Sequence, residues 1–308
     1  MNANMRLKGI SIIGERINHG IPSVRPLFDA GNAEALKDLA RAQAGQGAEA
    51  LDINVGSLGA EAMKRTVEAV QGAVRLPLCL DGSSPEILRA GMEIYDAARS
   101  DGLPILNSAT EGRDEKVFEI RNVRRCRVIL LVSERREGER SLLNETVEQS
   151  LATAGRLFSR ALEAGFEPAE IFIDPSTPAV ACDMKGLVNT TLETIAGIRG
   201  HRDFAGARVV AGLSNLTASL PAAARLPLQN AFLTLASRAG LDTIIGDPAR
   251  DYRLLPDEHP DLLLLRDILA RKGTDRLRAL TSSELYRAAA RKAAPRRPAG
   301  TEDKEGST

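Results

Sequence analysis

Short apolar runs alternate with amphipathic segments along most of the chain. Eight of these runs are rich in aliphatic residues, and most are followed by a turn signal and then by a helical pattern. Continuous apolar runs, as opposed to alternating ones, are typical of parallel strands that are buried on both faces. The eight predicted strands span residues 9–14, 48–55, 77–81, 104–107, 127–132, 170–174, 208–214 and 241–247.

The amphipathic segments between the strands predict helices over residues 32–46, 59–73, 85–98, 144–164, 185–198 and 227–239. Pro85 and Pro227 stand where a first helical turn accepts proline, and Gly47, Gly165 and Gly240 follow the last turns of their helices. The helix of the fourth unit, over residues 113–121, is predicted to be short.

Eight strand-then-helix units in 308 residues predict an α/β protein with one (β/α)8 TIM barrel, in preference to an open doubly wound sheet. We assign residues 1–272 to the barrel. Helical patterns at 260–272 and 282–293 close the fold, and we treat residues 273–293 as a C-terminal helical extension. Residues 294–308 are rich in Pro, Gly and charge, which predicts a disordered tail.

Composition excludes several classes of function. The chain has 41 basic and 41 acidic residues, 3% aromatics and no tryptophan. A nucleic-acid binder needs a basic surface, and a single-strand binder needs aromatic rings for stacking. The start of the chain lacks the apolar region of a signal peptide, and no run reaches the roughly 18 apolar residues of a membrane span. We therefore expect a cytoplasmic protein that binds neither membranes nor nucleic acid.

Cysteine and histidine spacing does not indicate a metal centre. The three cysteines lie far apart without a Cys-x-x-Cys pair, and the three histidines show no ligand spacing. We expect neither a disulfide framework nor a directly bound metal.

Polar residues end most of the apolar runs, and the chemistry of a (β/α)8 barrel lies at the carboxyl ends of its strands. A buried carboxylate is costly unless it is hydrogen-bonded, so its repetition on several strands indicates a ligand-binding ring. Carboxylates and amides suit a flat heterocycle with ring nitrogens, an amine and an oxo group, whereas phosphate calls for Lys, Arg or a glycine nest. The strand-end residues are Glu15, Asp52, Asn54, Asp81, Asn107, Asp174, Ser214 and Asn215.

Each of these residues also has a structural interpretation. Asp81, before Gly-Ser-Ser-Pro, suits a helix cap equally well, and Asp174, before Pro175, suits a turn. Asn107 could begin a loop. Asp52 is expected to face away from Asn54 and to be a partner of the barrel wall. The shared position at the strand ends carries the functional interpretation.

Six motifs in order resemble the pterin-binding methyltransferases, and the likeness runs from about residue 10 to residue 247. It is strongest to the methyltetrahydrofolate:corrinoid-protein methyltransferases and the folate domain of cobalamin-dependent methionine synthase. The motifs are IIGERIN (12–18), ARAQAGQGAEALDINVGS (40–57), LCLDGS (78–83), ILNSA (105–109), FIDP (172–175) and GLSN (212–215).

The resemblance implies a barrel of the dihydropteroate synthase-like type that binds tetrahydrofolate or 5-methyltetrahydrofolate in its mouth. It implies methyl exchange with the cobalt of a corrinoid, such as cobalamin, that is carried on a separate protein, and it implies a homodimer. No Asp-x-His-x-x-Gly corrinoid motif is present in the sequence, in agreement with a corrinoid brought by a partner. The direction of transfer is not fixed by the motifs.

The resemblance also implies roles for individual residues. Asp81, Asn107 and Asp174 would hydrogen-bond the pyrimidine edge and ring amines of the pterin, and Asn215 would be catalytic at the methyl-bearing ring nitrogen. The other implied site residues are Gly212 and Ser214 on the same wall, Glu15, Asp52 and Asn54 in support, and Arg225 at the folate tail or, equally, in solvent.

One segment departs from the family pattern. After the fifth strand the family carries a Met-Asn step and a glycine-containing loop, whereas this chain reads LLVSERREGERS (130–141), with Ser133 and Glu134 at the strand end. Residues 121–140 hold seven arginines against three glutamates. This local excess predicts either a solvated face or a surface that docks an acidic corrinoid protein.

Two alternative functions remain at the level of the sequence. Dihydropteroate synthase shares the barrel and the pterin pocket, but its family binds a pyrophosphate leaving group through a Ser-Thr-Arg-Pro loop, a lysine after strand seven and an Arg-x-His. Here the corresponding places read GSLG (56–59), SNLT (214–217) and GDPA (246–249). The second alternative is a non-catalytic pterin or folate binder, which only the altered fifth loop favours.

Overall fold

The computed structural model describes residues 7 and 9–293, so the predicted tail at 294–308 lies outside the described residues. Its strands are β1 (Ser11–Asn18), β2 (Ala50–Asn54), β3 (Leu78–Asp81), β4 (Ile105–Ala109), β5 (Arg127–Leu131), β6 (Glu134–Glu137), β7 (Arg140–Leu143), β8 (Ile171–Asp174), β9 (Arg208–Gly212) and β10 (Thr243–Gly246). All eight predicted strands are present. The hairpin of β6 and β7 was not predicted.

Eight parallel strands close into a barrel in the order β1-β10-β9-β8-β5-β4-β3-β2. The strands pair in parallel around the whole circle, from β1 with β2 to β1 with β10. The structure therefore confirms the predicted (β/α)8 barrel. The antiparallel hairpin of β6 and β7 forms a separate two-stranded sheet.

The helices are α1 (Arg25–Asp29), α2 (Ala33–Gly45), α3 (Gly59–Gln71), α4 (Pro85–Ile94), α5 (Asp114–Phe118), α6 (Val147–Glu163), α7 (Leu187–Gly200), α8 (Leu213–Leu216), α9 (Ala222–Ala239), α10 (Pro260–Ala270), α11 (Gly273–Ser282) and α12 (Glu284–Ala293). Pro85 is the first residue of α4, as predicted, and Gly47, Gly165 and Gly240 have the positive φ of residues that end helices. The fourth barrel helix is short, also as predicted.

Two helix predictions were wrong. Helix α9 begins at Ala222, so Pro227 lies inside it and not in its first turn. The segment predicted as one helix over 282–293 is the end of α11 followed by α12. Ser283 separates them, and its hydroxyl accepts a hydrogen bond from the backbone of Tyr286. Helix α11 was missed because only Arg276 and Leu280 are buried on it, which gives almost no apolar period.

A layer of one side chain from each barrel strand fills the inside of the barrel. Seven of its members are buried and the eighth, Ile245, is partly buried. This layer, which we call the barrel floor, is separate from the larger core between the strands and the helices. The barrel floor consists of Ile13, Ala50, Cys79, Ile105, Ile129, Phe172, Val210 and Ile245.

A bulge in β1 changes which side chains face the barrel interior. Gly14 is opposite Leu51 but Ile17 is opposite Ile53, so β1 contains one residue more than β2 between these two pairs. Ile17 consequently packs in the outer core, and Asn18 faces inward. A similar irregularity lies in β4 between Asn107 and Ala109.

The arginine-rich segment does not form one surface. Four of its arginines lie at or before the amino end of β5, where Arg121 and Arg125 both pair with Glu170. The other three belong to the hairpin beyond the carboxyl end of β5. The single basic patch predicted over 121–140 is therefore wrong, because β5 carries the two groups to opposite ends of the barrel.

Candidate active site

The strand-end polar residues form a ring one layer above the barrel floor. Side chains two residues apart on a strand project to the same face. Each ring position is therefore two residues beyond a member of the floor, and on β10 this position, Asp247, comes just after the last residue of the strand. The ring consists of Glu15, Asp52, Asp81, Asn107, Leu131, Asp174, Gly212 and Asp247.

The ring surrounds a cavity of about 290 Å³ at the carboxyl ends of the strands. Its lining residues are Glu15, Asn18, Asp52, Asp81, Asn107, Ser108, Leu131, Asp174, Ser176, Gly212, Ser214, Asn215 and Ile245. Eight of the ten residues singled out in the sequence thus lie on one cavity. Ser214 and Asn215 reach it from helix α8, which follows β9 directly, and not from the strand itself.

The two other predicted residues lie outside the lining. Asn54 supports it, because its Nδ2 donates to Asp81 Oδ2 at 2.7 Å while its Oδ1 accepts from the backbone of Gly56 at 2.8 Å. Arg225 is exposed on the first turns of α9, not in a loop, and its Nε donates to the carbonyl of Leu220. The structure does not bring Arg225 to the cavity.

The expected orientation of Asp52 was wrong. Asp52 lines the cavity and is 2% exposed. Residues 50, 52 and 54 share one face of β2 because they are two apart, so Asp52 cannot point away from Asn54. Asn107 Nδ2 donates to Asp52 Oδ1 at 3.3 Å, which links β2 to β4 above the floor.

The structural alternatives for two aspartates can now be decided. Ser84, and not Asp81, caps α4, since the Ser84 side chain accepts from the backbone of Ile87. Asp174 does close a turn, because its Oδ1 accepts from the backbone of Ser176 at 2.7 Å. Its carboxyl group nevertheless faces the cavity, so the turn orients the side chain that the ring presents.

Burial dominates the ionisation of the ring. It raises the pKa of Glu15 to about 7, against a hydrogen bond from Ser214. It also raises the pKa of Asp174 to about 7, against the Ser176 amide. Burial together with the charge of Asp81 holds the pKa of Asp52 well above its usual range. The pKa of Asp81 is raised by burial in spite of the Asn54 hydrogen bond. The cavity therefore offers protonated carboxyls near neutral pH, which both donate and accept hydrogen bonds.

Sequence reasoning missed residues beside the predicted ones. Asp247 stands at the level of the ring, 3.8 Å from Arg16 Nη1 and 3.7 Å from Arg250 Nε, and its backbone amide donates to the Tyr252 hydroxyl. The step of two from Ile245 was the signal that could have found it. Asn18, the last residue of the first motif, stands in the polar segment that ends the first predicted strand but was given no role in the site, because the β1 bulge is not visible in the apolar pattern.

A larger cavity of about 810 Å³ lies outside the barrel between α5 and α6, where the fourth helix is short. It contains none of the strand-end residues. Its walls carry ion pairs of Arg156 and Arg160 with Glu111 and Asp114. These pairs satisfy carboxylates that are nearly buried, so this cavity does not compete with the ring as a candidate active site.

Two further properties concern only the part of the chain that the structure describes. Within residues 7 and 9–293, no group of three or more His, Cys, Asp or Glu side chains is arranged to hold a metal ion. None of the helices in the same residues combines the length and apolar character that crossing a membrane requires.

The fold and the cavity define a class: (β/α)8 barrels with a carboxylate and amide pocket at the strand ends. Comparison with known families places the chain within that class. Residues 25–247 match the model described as pterin binding enzyme. The chain belongs to the pterin-binding enzyme family.

Two relatives and one solved structure illustrate the family. The methylcorrinoid:tetrahydrofolate methyltransferase of Eubacterium limosum is 30% identical over 85% of this chain and 93% of its own length. Methionine synthase of Mycobacterium tuberculosis is 27% identical over 83% of this chain, which corresponds to 22% of that protein. Dihydropteroate synthase from Xanthomonas albilineans in complex with 7,8-dihydropteroate matches with a TM-score of 0.55 and 18% identity, over 86% of this chain and 95% of that one. This last likeness confirms the fold alone.

Proposed function

We propose that this enzyme transfers a methyl group between 5-methyltetrahydrofolate and the cobalt of a corrinoid that a separate protein carries. The observation that carries the proposal is the ring of carboxyls and amides in a chain aligned with 93% of a methylcorrinoid:tetrahydrofolate methyltransferase. Either direction of transfer is compatible with the same pocket.

The pterin is proposed to bind edge-on against the ring. Asp81, Asn107 and Asp174 hydrogen-bond its pyrimidine edge and ring amines, and Asn54 and Asp52 hold the first two of these side chains in place. The lining contains no tryptophan, tyrosine or phenylalanine side chain among its described residues, so hydrogen bonds and not aromatic stacking fix the ring.

The chemical step moves a methyl group without its bonding electrons. In the direction of corrinoid methylation, the electron pair of cobalt(I) forms the new bond to carbon, and the pair of the broken C–N bond stays on the pterin nitrogen. Cobalt is oxidised formally from +1 to +3, and the nitrogen gains a proton. An unprotonated tertiary amine is a poor leaving group, so the enzyme must stabilise the protonated nitrogen in the transition state.

Asn215 is proposed to supply that stabilisation. It reaches the cavity from α8, and the neighbouring Ser214 Oγ donates to Glu15 Oε2 at 2.9 Å. Glu15, with a pKa raised to about 7 by burial, is a proton reservoir in the same cavity. The lining residues that the structure describes include no Lys or His as a general acid, so the amide and the carboxyls carry this role.

The decisive experiment mixes the protein with 5-methyltetrahydrofolate and free cob(I)alamin and follows methylcobalamin absorbance. We expect transfer in this direction and, with methylcobalamin and tetrahydrofolate, in reverse. Tetrahydrofolate binding without transfer in either direction would instead support the non-catalytic binder.

The dihydropteroate synthase alternative lacks an anion site. The described lining contains no Lys or Arg. Of the arginines beside the ring, Arg16 and Arg250 pair with Asp247, and Arg113 donates to the carbonyls of Ser83 and Ser108. Incubation with the pterin pyrophosphate and 4-aminobenzoate is expected to give no dihydropteroate.

Further properties follow from the family resemblance and belong to the proposal. We propose a cytoplasmic homodimer whose physiological partner is a corrinoid protein. Sedimentation equilibrium is expected to give twice the chain mass of 33.0 kDa. A monomer at micromolar concentration would contradict the dimer without affecting the proposed reaction.

A further inference from the structure

The segment between β8 and α7, residues 175–186, connects the two walls of the cavity that carry Asp174 and Asn215. We call it the β8–α7 loop. At its start, the Ser176 amide donates to Asp174 Oδ1 at 2.7 Å. In its middle, the Val180 amide donates to the carbonyl of Leu216, the last residue of α8, at 2.9 Å. The loop therefore contacts both walls above the pairing of β8 with β9.

The far end of the loop is fixed by a buried ion pair with the C-terminal extension. Asp183 Oδ1 accepts from the amides of Gly186 and Leu187 at 2.9 and 2.7 Å, and its Oδ2 accepts from Val188 at 3.0 Å, at the beginning of α7. Arg276 from α11 pairs with the same carboxylate, and its Nη2 donates to Asn189 Oδ1 at 2.8 Å. The side chains of Arg276 and Asp183 are 4% and 0% exposed, so this ion pair is buried.

The hydroxyl of Thr191 connects helix α7 to the start of the β8–α7 loop at the cavity. Thr191, in the first turns of α7, is 3% exposed, and its Oγ1 donates to the carbonyl of Ser176 at 2.9 Å. Ser176 itself has a φ of 65°, in the left-handed region that a serine rarely adopts, so its conformation depends on these surroundings. The hydrogen bonds run without interruption from Arg276 through Asp183, α7 and Thr191 to Ser176 and Asp174.

We propose that Arg276 is a positioning residue for the active site: through the β8–α7 loop, the C-terminal extension holds Asp174 and the α8 wall in the geometry that binds the pterin. The inference rests on the proposed function for the identity of the ligand. Arginine suits this role because its planar guanidinium serves several acceptors at once, which the lysine ammonium cannot do in the same geometry.

The chain supplies a reporter for the loop. Cys182 is exposed within it, whereas Cys79 and Cys126 are buried. A spin label attached to Cys182, the one exposed cysteine among the described residues, therefore reports the mobility of the loop independently of any ligand.

The first test compares Arg276→Met with Arg121→Met. Arg121 pairs with the buried carboxylate of Glu170 at the opposite end of the barrel, so the second variant controls for loss of a buried ion pair as such. For Arg276→Met we expect a Kd for tetrahydrofolate raised roughly tenfold, higher mobility of a spin label on Cys182, and a binding pH profile shifted upward because Asp174 loses the Ser176 amide. Arg276→Lys should recover part of the affinity, and Arg121→Met should change none of the three readouts.

The second test uses smaller substitutions on α7, so that the role of the loop can be measured even if Arg276→Met does not fold. Thr191→Val removes the hydroxyl that donates to the carbonyl of Ser176 and, within α7, to that of Leu187 at 3.0 Å. Thr194→Val on the same helix removes a buried hydroxyl that has no hydrogen-bond partner in the described structure. We expect weaker tetrahydrofolate binding for the first and unchanged binding for the second.

The outcomes separate the inference from the proposed function. Folded Arg276→Met with wild-type affinity and wild-type mobility of the Cys182 spin label would overturn the inference, as would equal affinities of the two threonine variants. If the wild-type protein binds no tetrahydrofolate, the proposed function fails, and the mobility of the Cys182 spin label alone then decides whether Arg276 fixes the loop.

Discussion

At the scale of single residues, the space around Asn215 is set by Gly212. A Cβ at Gly212 would lie 3.1 Å from Asn215 Nδ2, so only glycine leaves the amide its present position without displacement. Gly212 has an ordinary φ of −82°, and the requirement is therefore one of space and not of backbone conformation. The amide is held close to the wall from which it can contact a bound ligand.

Replacement of Asn215 by alanine tests its catalytic role. We expect the Kd for 5-methyltetrahydrofolate to change little and the methyl transfer rate to fall by about 100- to 1000-fold, the loss typical of one preorganised donor to a transition state. Stopped-flow absorbance of methylcobalamin measures the rate. Asn122→Ala, at an exposed position, is the matched control. A full rate in Asn215→Ala would remove Asn215 from the mechanism.

The raised pKa of Asp174 predicts how stability depends on pH. Its pKa is about 7 in the folded protein and about 4 when unfolded, so the folded state binds more protons between these values. The contribution of this carboxyl to stability is therefore present below about pH 4 and is lost as the pH rises towards 7.

Asp174→Asn removes this titration. Without ligand, we expect the variant to lose less stability than the wild type between pH 5 and pH 7, because the amide stays neutral. Urea unfolding at several pH values measures the difference, which is on the order of a few kcal/mol for a shift of this size. Identical pH dependence in the two proteins would show that Asp174 ionises normally in the empty cavity.

The sequence was informative about residues wherever a polar side chain directly ended an apolar run. Asp81, Asn107 and Asp174 were found in this way and line one cavity. Arg225 was misplaced because the start of α9 was predicted five residues too late. Asp247 was overlooked, although it lies two residues beyond Ile245, because Gly246 separates it from the apolar run.

At the scale of elements, the bulge in β1 depends on a contact with α2. Gln43 is 1% exposed, and its Oε1 accepts from the backbone of Arg16 at 2.9 Å, within the extra step of the strand. A Cβ on Gly14 would lie 2.6 Å from that oxygen and 3.3 Å from Ala48 Cβ. Glycine at this position therefore lets the helix support the bulge that turns Asn18 to the cavity.

Gly14→Ala is expected to destabilise the protein by about 1–3 kcal/mol, because the buried glutamine must move and release the Arg16 amide. Gly155→Ala is the control, since its Cβ would meet no atom within 4 Å inside α6. The control is expected to gain about 0.5–1 kcal/mol from helix propensity. Equal effects in chemical denaturation would contradict the proposed support of the bulge.

Strands and helices were predictable where burial of one face imposes a regular spacing of apolar residues. They were less predictable where a few specific contacts determine the local structure. Each of the eight barrel strands contains at least two consecutive buried or partly buried apolar residues. The bulges, the β6–β7 hairpin and α11 arise from individual hydrogen bonds and ion pairs, which leave no repeating pattern in the sequence.

At the scale of the whole molecule, we propose that the C-terminal extension and the barrel are one cooperative unit. A chain ending at Lys272 would leave Asp183 buried without Arg276 and would uncover the site where Leu280 packs. Removal of one partner from a buried ion pair costs about 3–5 kcal/mol. We expect a single unfolding transition in the full chain and a lower urea midpoint in the shortened one.

A chain ending at Ala293 is the control, because it keeps α11 and α12 entire, and it should retain the wild-type midpoint. Two separate transitions in the full chain would show that the extension folds independently of the barrel.

The barrel floor has a consequence for the order of events in a reaction cycle. Because eight side chains close the barrel beneath the ring, the cavity is closed at its base and opens at the carboxyl ends of the strands. In the proposed reaction, a pterin in this cavity exposes its methyl-bearing edge only toward the opening. The corrinoid protein must then dock over the opening, and it blocks exchange of the folate while it is bound. The folate should therefore enter before the corrinoid protein docks and depart after it has left, which corresponds to compulsory-order kinetics with the folate as the first substrate and the last product.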